Sequence, residues 1–169
     1  MWNDTELPLA YLITFRTYGT WLHGDTRGST SRHRNIYNTK HLPREPEWQN
    51  INRSRLAEEP LRLDKAQRTC VEAAIKDTCR RREWIFYGAN ARTTHVHTVA
   101  GIGATKPAIA LNAFKANATR SLREALLHDR DRTPWADKGS ERWLWTRVEV
   151  NRATDYVLYG QGDDFLNFE

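Results

Sequence analysis

Few residues in this chain could act on a substrate, and the sharpest group is His95-Val-His97. It falls in a run from about His95 to Ile102 that reads as a strand, and residues i and i+2 of a strand share a face. Two imidazoles set side by side in this way can hold one divalent metal and leave coordination positions open for substrate. A second group, Tyr156-Val-Leu-Tyr-Gly-Gln161, lies at the end of a predicted helix. A tyrosine hydroxyl beside a phosphodiester can serve as a nucleophile. Its ordinary pKa of about 10 means that it needs activation, which a metal on the scissile phosphate assists. Gln161 adds a candidate oxygen ligand. Two histidines in a strand, or one tyrosine in a helix, are commonplace alone; their combination is more specific. Of the remaining histidines, His23, His33 and His41 sit in a basic stretch and read as solvated or facing nucleic acid.

The elements that must position these groups follow from periodicity. A first strand is expected over Leu9–Thr17, rich in β-branched and aromatic residues and ended by Gly19. A polar stretch from about Thr20 to Pro60 carries Gly24, Gly28, Pro43, Pro46 and the basic series Arg27, Arg32, Arg34, Lys40 and Arg44. It reads as a long insertion, a kind of segment that is usually functional or mobile. A helix should begin near Asp64, where Asp64 and Gln67 form a capping-box pattern, and end at Arg80-Arg81-Arg82. Val71, Ala74, Ile75 and Thr78 supply its inner face. Strands are expected at Trp84–Tyr87 and at His95–Ile102. A second helix should start near Thr105-Lys-Pro107, with Pro in the first turn. Its apolar stripe is Leu111, Phe114, Ala118, Leu122 and Ala125; Asn112, Lys115, Thr119 and Arg123 lie largely off it. A last strand is expected at about Trp143–Arg147, and a final helix at about Asn151–Tyr159.

This order gives βαββαβ, an α+β chain of the split-βαβ, ferredoxin-like kind: an antiparallel sheet with helices on one face, a long insertion after the first strand and an extra C-terminal helix. The other face would be free for a ligand or for that last helix. The 169 residues suit one domain spanning 1–169. The net charge of +5 and pI of about 9.4 favour a polyanionic partner. Mean hydropathy is −0.77 and no apolar run is long enough to span a bilayer. The run Leu7–Phe15 is short and follows Asp4 and Glu6, unlike a secretory leader; a cytoplasmic protein is expected. Cys70 and Cys79 fall on opposite faces of one predicted helix and belong to no CxxC pair, so they read as ordinary thiols.

The stretches Tyr11-Leu-Ile-Thr-Phe-Arg-Thr-Tyr-Gly-Thr-Trp-Leu-His-Gly-Asp25, Arg92-Thr-Thr-His-Val-His97, Ala110-Leu-Asn-Ala-Phe-Lys115 and Ala153-Thr-Asp-Tyr-Val-Leu-Tyr-Gly-Gln-Gly162 together resemble the single-tyrosine HUH transposases. Within these, the match is to the REP-associated tyrosine transposases and related small insertion-sequence transposases, and it spans nearly the whole chain. The TYGTWLxGD run marks one subgroup. The resemblance implies a ferredoxin-like fold and a Mg²⁺ or Mn²⁺ site built from His95, His97 and a third polar residue. It also implies attack by Tyr156 on single-stranded DNA, giving a 5′-phosphotyrosine and a free 3′-OH. Imidazole ligation leans towards Mn²⁺. Family members often place the third ligand four residues after the tyrosine. Here that position is Gly160, and Gln161 is five residues on, about 140° away on a regular helix. Gly160 and Gly162 would end the helix and let Gln161 swing back. Tyr159 stands as a rival nucleophile. The expected partner is single-stranded DNA, such as the hairpin ends of a mobile or repeat element, bound by a monomer or homodimer. Lys115, Arg120 and Arg123 on the second helix and Arg27, Arg32 and Arg34 in the insertion are the expected DNA contacts.

Two other readings use the same elements. One is a non-catalytic single-stranded nucleic-acid-binding module, although no RNP1-like run is present and histidines occupy a central strand. The other is a domesticated transposase retained for host DNA processing. No HExxH, HxE or cysteine ligand set points to a zinc hydrolase.

Overall fold

Along Ala10–Arg16 the burial alternates, with Tyr11, Ile13 and Phe15 buried on one face, as expected for a strand that separates two layers. This is β1. A computed structural model describes residues 6–20, 50 and 59–160. Among them, the order after β1 is helix α1 (Lys65–Arg81), strands β2 (Ile85–Ala91) and β3 (His95–Gly101), helix α2 (Pro107–Glu124), strand β4 (Ser140–Leu144) and helix α3 (Arg147–Tyr159). The four strands form one antiparallel sheet in the order β2-β3-β1-β4. The fold is therefore α+β and ferredoxin-like, as the pattern of elements predicts.

Helix α1 starts where the capping box requires. Asp64 accepts from the Gln67 amide at 2.8 Å, and the Asp64 amide donates to Gln67 Oε1 at 2.8 Å. Its expected inner residues Val71, Ala74, Ile75 and Thr78 are all buried. With the buried stripe of α2, they cover the sheet face that presents Tyr11, Ile13, Phe15, Val96 and Ala100. Phe114 is fully buried there, with its ring edge-on to Trp84 at 5.7 Å. Truncating it to alanine should cost about 3–5 kcal/mol. Cys70 and Cys79 are free thiols, and burial pushes Cys79 up to about 11. No helix among the described residues is long and apolar enough to cross a membrane.

The opposite face of the sheet holds a second cluster: Ala10, Val99, Leu144, Val150, Ala153 and Val157, with Leu12 and Tyr87 beside it. Val150, Ala153 and Val157 recur at helical spacing, so α3 lays one stripe across the sheet. The face left open by sequence is thus taken by the C-terminal helix. Gly88 in β2 permits the approach, because a Cβ there would meet Leu158 Cδ2 at 3.2 Å.

The bounds of the last two elements differ from expectation. The last strand is Ser140–Leu144 rather than Trp143–Arg147, and the last helix starts at Arg147 rather than Asn151. A second capping box explains both. Thr146 accepts from the Glu149 amide, while the Glu149 carboxylate accepts from the amides of Trp145 (2.8 Å) and Thr146 (2.9 Å). Those two amides serve the helix cap, not the sheet ladder. Strand β2 also runs on to Ala91, past an irregularity between Phe86 and Gly88, where the Thr98 hydroxyl donates to the Gly88 carbonyl at 3.0 Å.

Candidate active site

Because β3 is central, its alternation sends Val96, Thr98 and Ala100 towards α1 and α2 and leaves His95, His97 and Val99 towards α3. The imidazoles of His95 and His97 lie 4.8 Å apart between centroids. Their strand is clamped at its start. The Arg92 amide donates to the His95 carbonyl at 2.8 Å, and the Thr17 amide and hydroxyl both donate to the Thr94 carbonyl. Arg92 and Thr94 are buried.

A transverse row of residues crosses the sheet through His97. Asn90 faces it from β2, Thr14 from β1, and Ser140 on β4 faces Thr14 in turn. A hydroxyl–imidazole hydrogen bond of 2.6 Å joins Thr14 Oγ1 to His97 Nδ1. On the other side, Asn90 Nδ2 donates to the Val157 carbonyl at 2.9 Å, in the last turn of α3. Burial, then the neighbouring charges of His95 and Arg92, hold the His97 imidazole well below its usual range, down to about 3. His97 is therefore neutral near neutral pH, the form in which imidazole ligates a metal.

Tyr156 lies one residue before the buried Val157, so it sits at the margin of the α3 stripe. Its ring meets that of His97 at 5.9 Å between centroids and 71° between planes. Tyr156 is 46% exposed and Tyr159 is 83% exposed. The structure thus brings His95, His97 and Tyr156 together. Gln161 lies outside the described residues, as do Arg27, Arg32 and Arg34. Among the described residues there is no group of three or more His, Cys, Asp or Glu that could hold a metal ion. The histidine pair does fit a divalent cation as two nitrogen donors: the rings are neighbours, one is kept neutral, and one ring nitrogen of His97 is already hydrogen-bonded.

Of the three expected cations on α2, Arg120 is exposed, and the other two serve the segment that leads to β4. Lys115 Nζ donates to the carbonyls of Ala136 (2.8 Å) and Lys138, and Arg123 donates to the Arg132 carbonyl at 3.0 Å. Thr119, between them on the helix, accepts from the Trp135 indole at 3.0 Å. Burial lowers the pKa of Lys115. The polar stripe Lys115, Thr119 and Arg123 is a seat for the α2–β4 connection.

Sequence reasoning missed Thr14 and Asn90. Thr14 carries no local signal, since threonine is ordinary in a strand. Asn90 does: asparagine and glycine are poor strand residues, and Gly88-Ala-Asn90 lies within β2.

No protein-family model matches the sequence, and no curated protein matches it. Among solved structures, a REP-associated tyrosine transposase bound to a REP hairpin is similar, with a TM-score of 0.50 and 11% identity over 93% of this chain and 69% of that one. At that identity the likeness is one of fold, and the chain shares its ferredoxin-like α+β architecture with that transposase.

Proposed function

We propose that this chain is a single-tyrosine DNA transposase, which cleaves and rejoins single-stranded DNA through a 5′-phosphotyrosine. The observation that carries the reading is the contact of the Tyr156 ring with His97, whose neighbour on the same face is His95. The fold shared with a transposase bound to a hairpin supports a similar substrate, hairpin-bearing single-stranded DNA at the ends of a mobile or repeat element.

In this reading His95 and His97 hold a Mg²⁺ or Mn²⁺ ion, with Gln161 as the third protein ligand. When bound, the ion polarises the scissile phosphate and stabilises its developing charge. Tyr156 Oη attacks the phosphorus and loses its proton. The P–O3′ bond breaks, and the 3′ oxygen leaves and takes up a proton as the free 3′-OH. One phosphodiester is exchanged for another, so attack by a 3′-OH on the phosphotyrosine reverses the step and joins strands. Thr14 and Asn90 hold His97 and the last turn of α3 in register. Arg120 and the basic residues Arg27, Arg32 and Arg34 contribute phosphate contacts. The whole chain acts as one catalytic unit, working in the cytoplasm.

The test is covalent trapping. A labelled hairpin oligonucleotide incubated with protein and Mn²⁺ should give an adduct that survives denaturing electrophoresis. Tyr156→Phe should abolish the adduct yet still bind DNA, and Tyr159→Phe should retain adduct formation. Peptide mapping that places the linkage at Tyr159, or cleavage with no adduct, overturns the assignment.

A further inference from the structure

We infer that Thr14 is a positioning residue for the metal site: its hydroxyl accepts a hydrogen bond from Nδ1–H of His97 and so reserves the Nε2 lone pair for a divalent cation. The inference rests on the proposed function in that it assumes His97 to be a ligand.

A neutral imidazole carries one proton, and the nitrogen that bears it cannot ligate. The partner at the other nitrogen decides which one that is. At His97 the partner is Thr14 Oγ1, 2.6 Å from Nδ1. A threonine hydroxyl can donate or accept, so the bond is compatible with two tautomers. If Oγ1–H donated to Nδ1, the ring proton would sit on Nε2 and neither nitrogen would be open to a cation. If Nδ1–H donates to Oγ1, Nε2 is open. Only the second arrangement gives His97 a ligating atom.

The geometry also fixes the ring's orientation. Thr14 and His97 are direct partners in the β1–β3 ladder, so the bond spans two adjacent strands of a packed sheet. The His97 ring is flanked edge-on by His95 at 4.8 Å and Tyr156 at 5.9 Å. A ring flip, which would exchange Nδ1 for a carbon, would break the Thr14 bond within that enclosure. Thr14 thus plays for His97 the part that a carboxylate or backbone carbonyl plays behind many metal-bound histidines, where removing the partner typically costs about 10–100-fold in metal affinity. Threonine suits the position because it is also a good strand residue in the middle of β1.

The test uses the full chain, metal-free and with Mn²⁺. Long-range ¹H–¹⁵N correlation spectra of ¹⁵N-histidine protein report the His97 tautomer without metal, and titration calorimetry reports Mn²⁺ affinity. Wild type should show His97 protonated at Nδ1. Thr14→Val keeps the shape and strand preference but removes the hydroxyl; it should shift His97 towards protonation at Nε2 and weaken Mn²⁺ binding by about 10-fold or more. Thr14→Ser should restore both. An Nε2-protonated His97 in the wild type overturns the inference with no variant needed. Thr14→Val that keeps wild-type tautomer and affinity overturns it as well. Wild type that shows the Nδ1 tautomer but binds no Mn²⁺ overturns instead the metal assignment of the proposed function.

Discussion

The ring of Tyr156 meets the ring of His97 edge-on, 5.9 Å between centroids, although one belongs to the central strand β3 and the other to the last helix. Two links hold that meeting in place. Val150, Ala153 and Val157 bury α3 against the sheet, and Asn90 ties the Val157 carbonyl to β2. A candidate nucleophile one residue from a buried anchor has little freedom to drift from the histidine pair.

His95→Ala or His97→Ala should each abolish Mn²⁺ binding and adduct formation while leaving hairpin binding largely intact. EDTA should stop wild-type cleavage, and added Mn²⁺ should restore it. Titration calorimetry, gel shift and cleavage of a labelled oligonucleotide read the three effects separately. Full cleavage by a variant lacking both imidazoles would remove the metal site from the mechanism.

Asn90→Ala should loosen the end of α3 by removing its bond to the Val157 carbonyl, while the Thr14 bond still holds the neighbouring His97 ring. Losing one partly buried hydrogen bond should cost about 1 kcal/mol. Amide exchange in the last turn of α3 should speed up, and the adduct should form more slowly at unchanged Mn²⁺ affinity. If exchange in α3 is unaltered, Asn90 does not anchor the helix.

Lys115 and Arg120 should separate into a structural and a binding role. Lys115→Met deletes two bonds to the α2–β4 connection, so it should lower stability by about 1 kcal/mol or more, read as a shifted urea midpoint. Arg120→Ala should leave stability nearly unchanged. It should flatten the dependence of log K on log salt by about 0.7–0.9 if it contacts one phosphate. An unchanged salt slope would show that this exposed arginine does not meet the DNA backbone.

The metal-free protein should lose stability in mild acid through His97. Its folded pKa is held down from 6.5 to about 3, mainly by burial. As pH falls through 6.5, the unfolded chain takes up a proton that the folded ring refuses until about pH 3. The folded state therefore weakens progressively across that window, by up to about 1.4 kcal/mol per pH unit, and keeps its full stability above 6.5. Urea unfolding at pH 7.5 to 4.5 should show a steeper acid loss for wild type than for His97→Gln, which cannot titrate. Parallel curves for the two proteins would contradict the depressed pKa.

Local sequence determined the parts of this protein that depend on neighbours along the chain. The Asp64–Gln67 box sets the start of α1, and Pro107 opens α2 as its position in the sequence implies. The period of two in β3 puts His95 and His97 on one face whichever strands flank them. The spacing of Val150, Ala153 and Val157 was equally open to reading, and so was the Thr146-x-x-Glu149 box that moved the final strand and helix from their expected bounds. Tertiary structure alone decided what those faces meet. That Thr14 lies opposite His97 depends on the register of two strands far apart in sequence, which is set by burial of Tyr11, Ile13 and Phe15 on the other face of β1. That Lys115 and Arg123 hold a connecting segment, rather than standing free as a cationic stripe, depends on where the chain from α2 to β4 returns. Tyr156 meets His97 because α3 covers the sheet face that periodicity left open. Periodicity tells a residue which way it points; only the packing of distant elements supplies its partner.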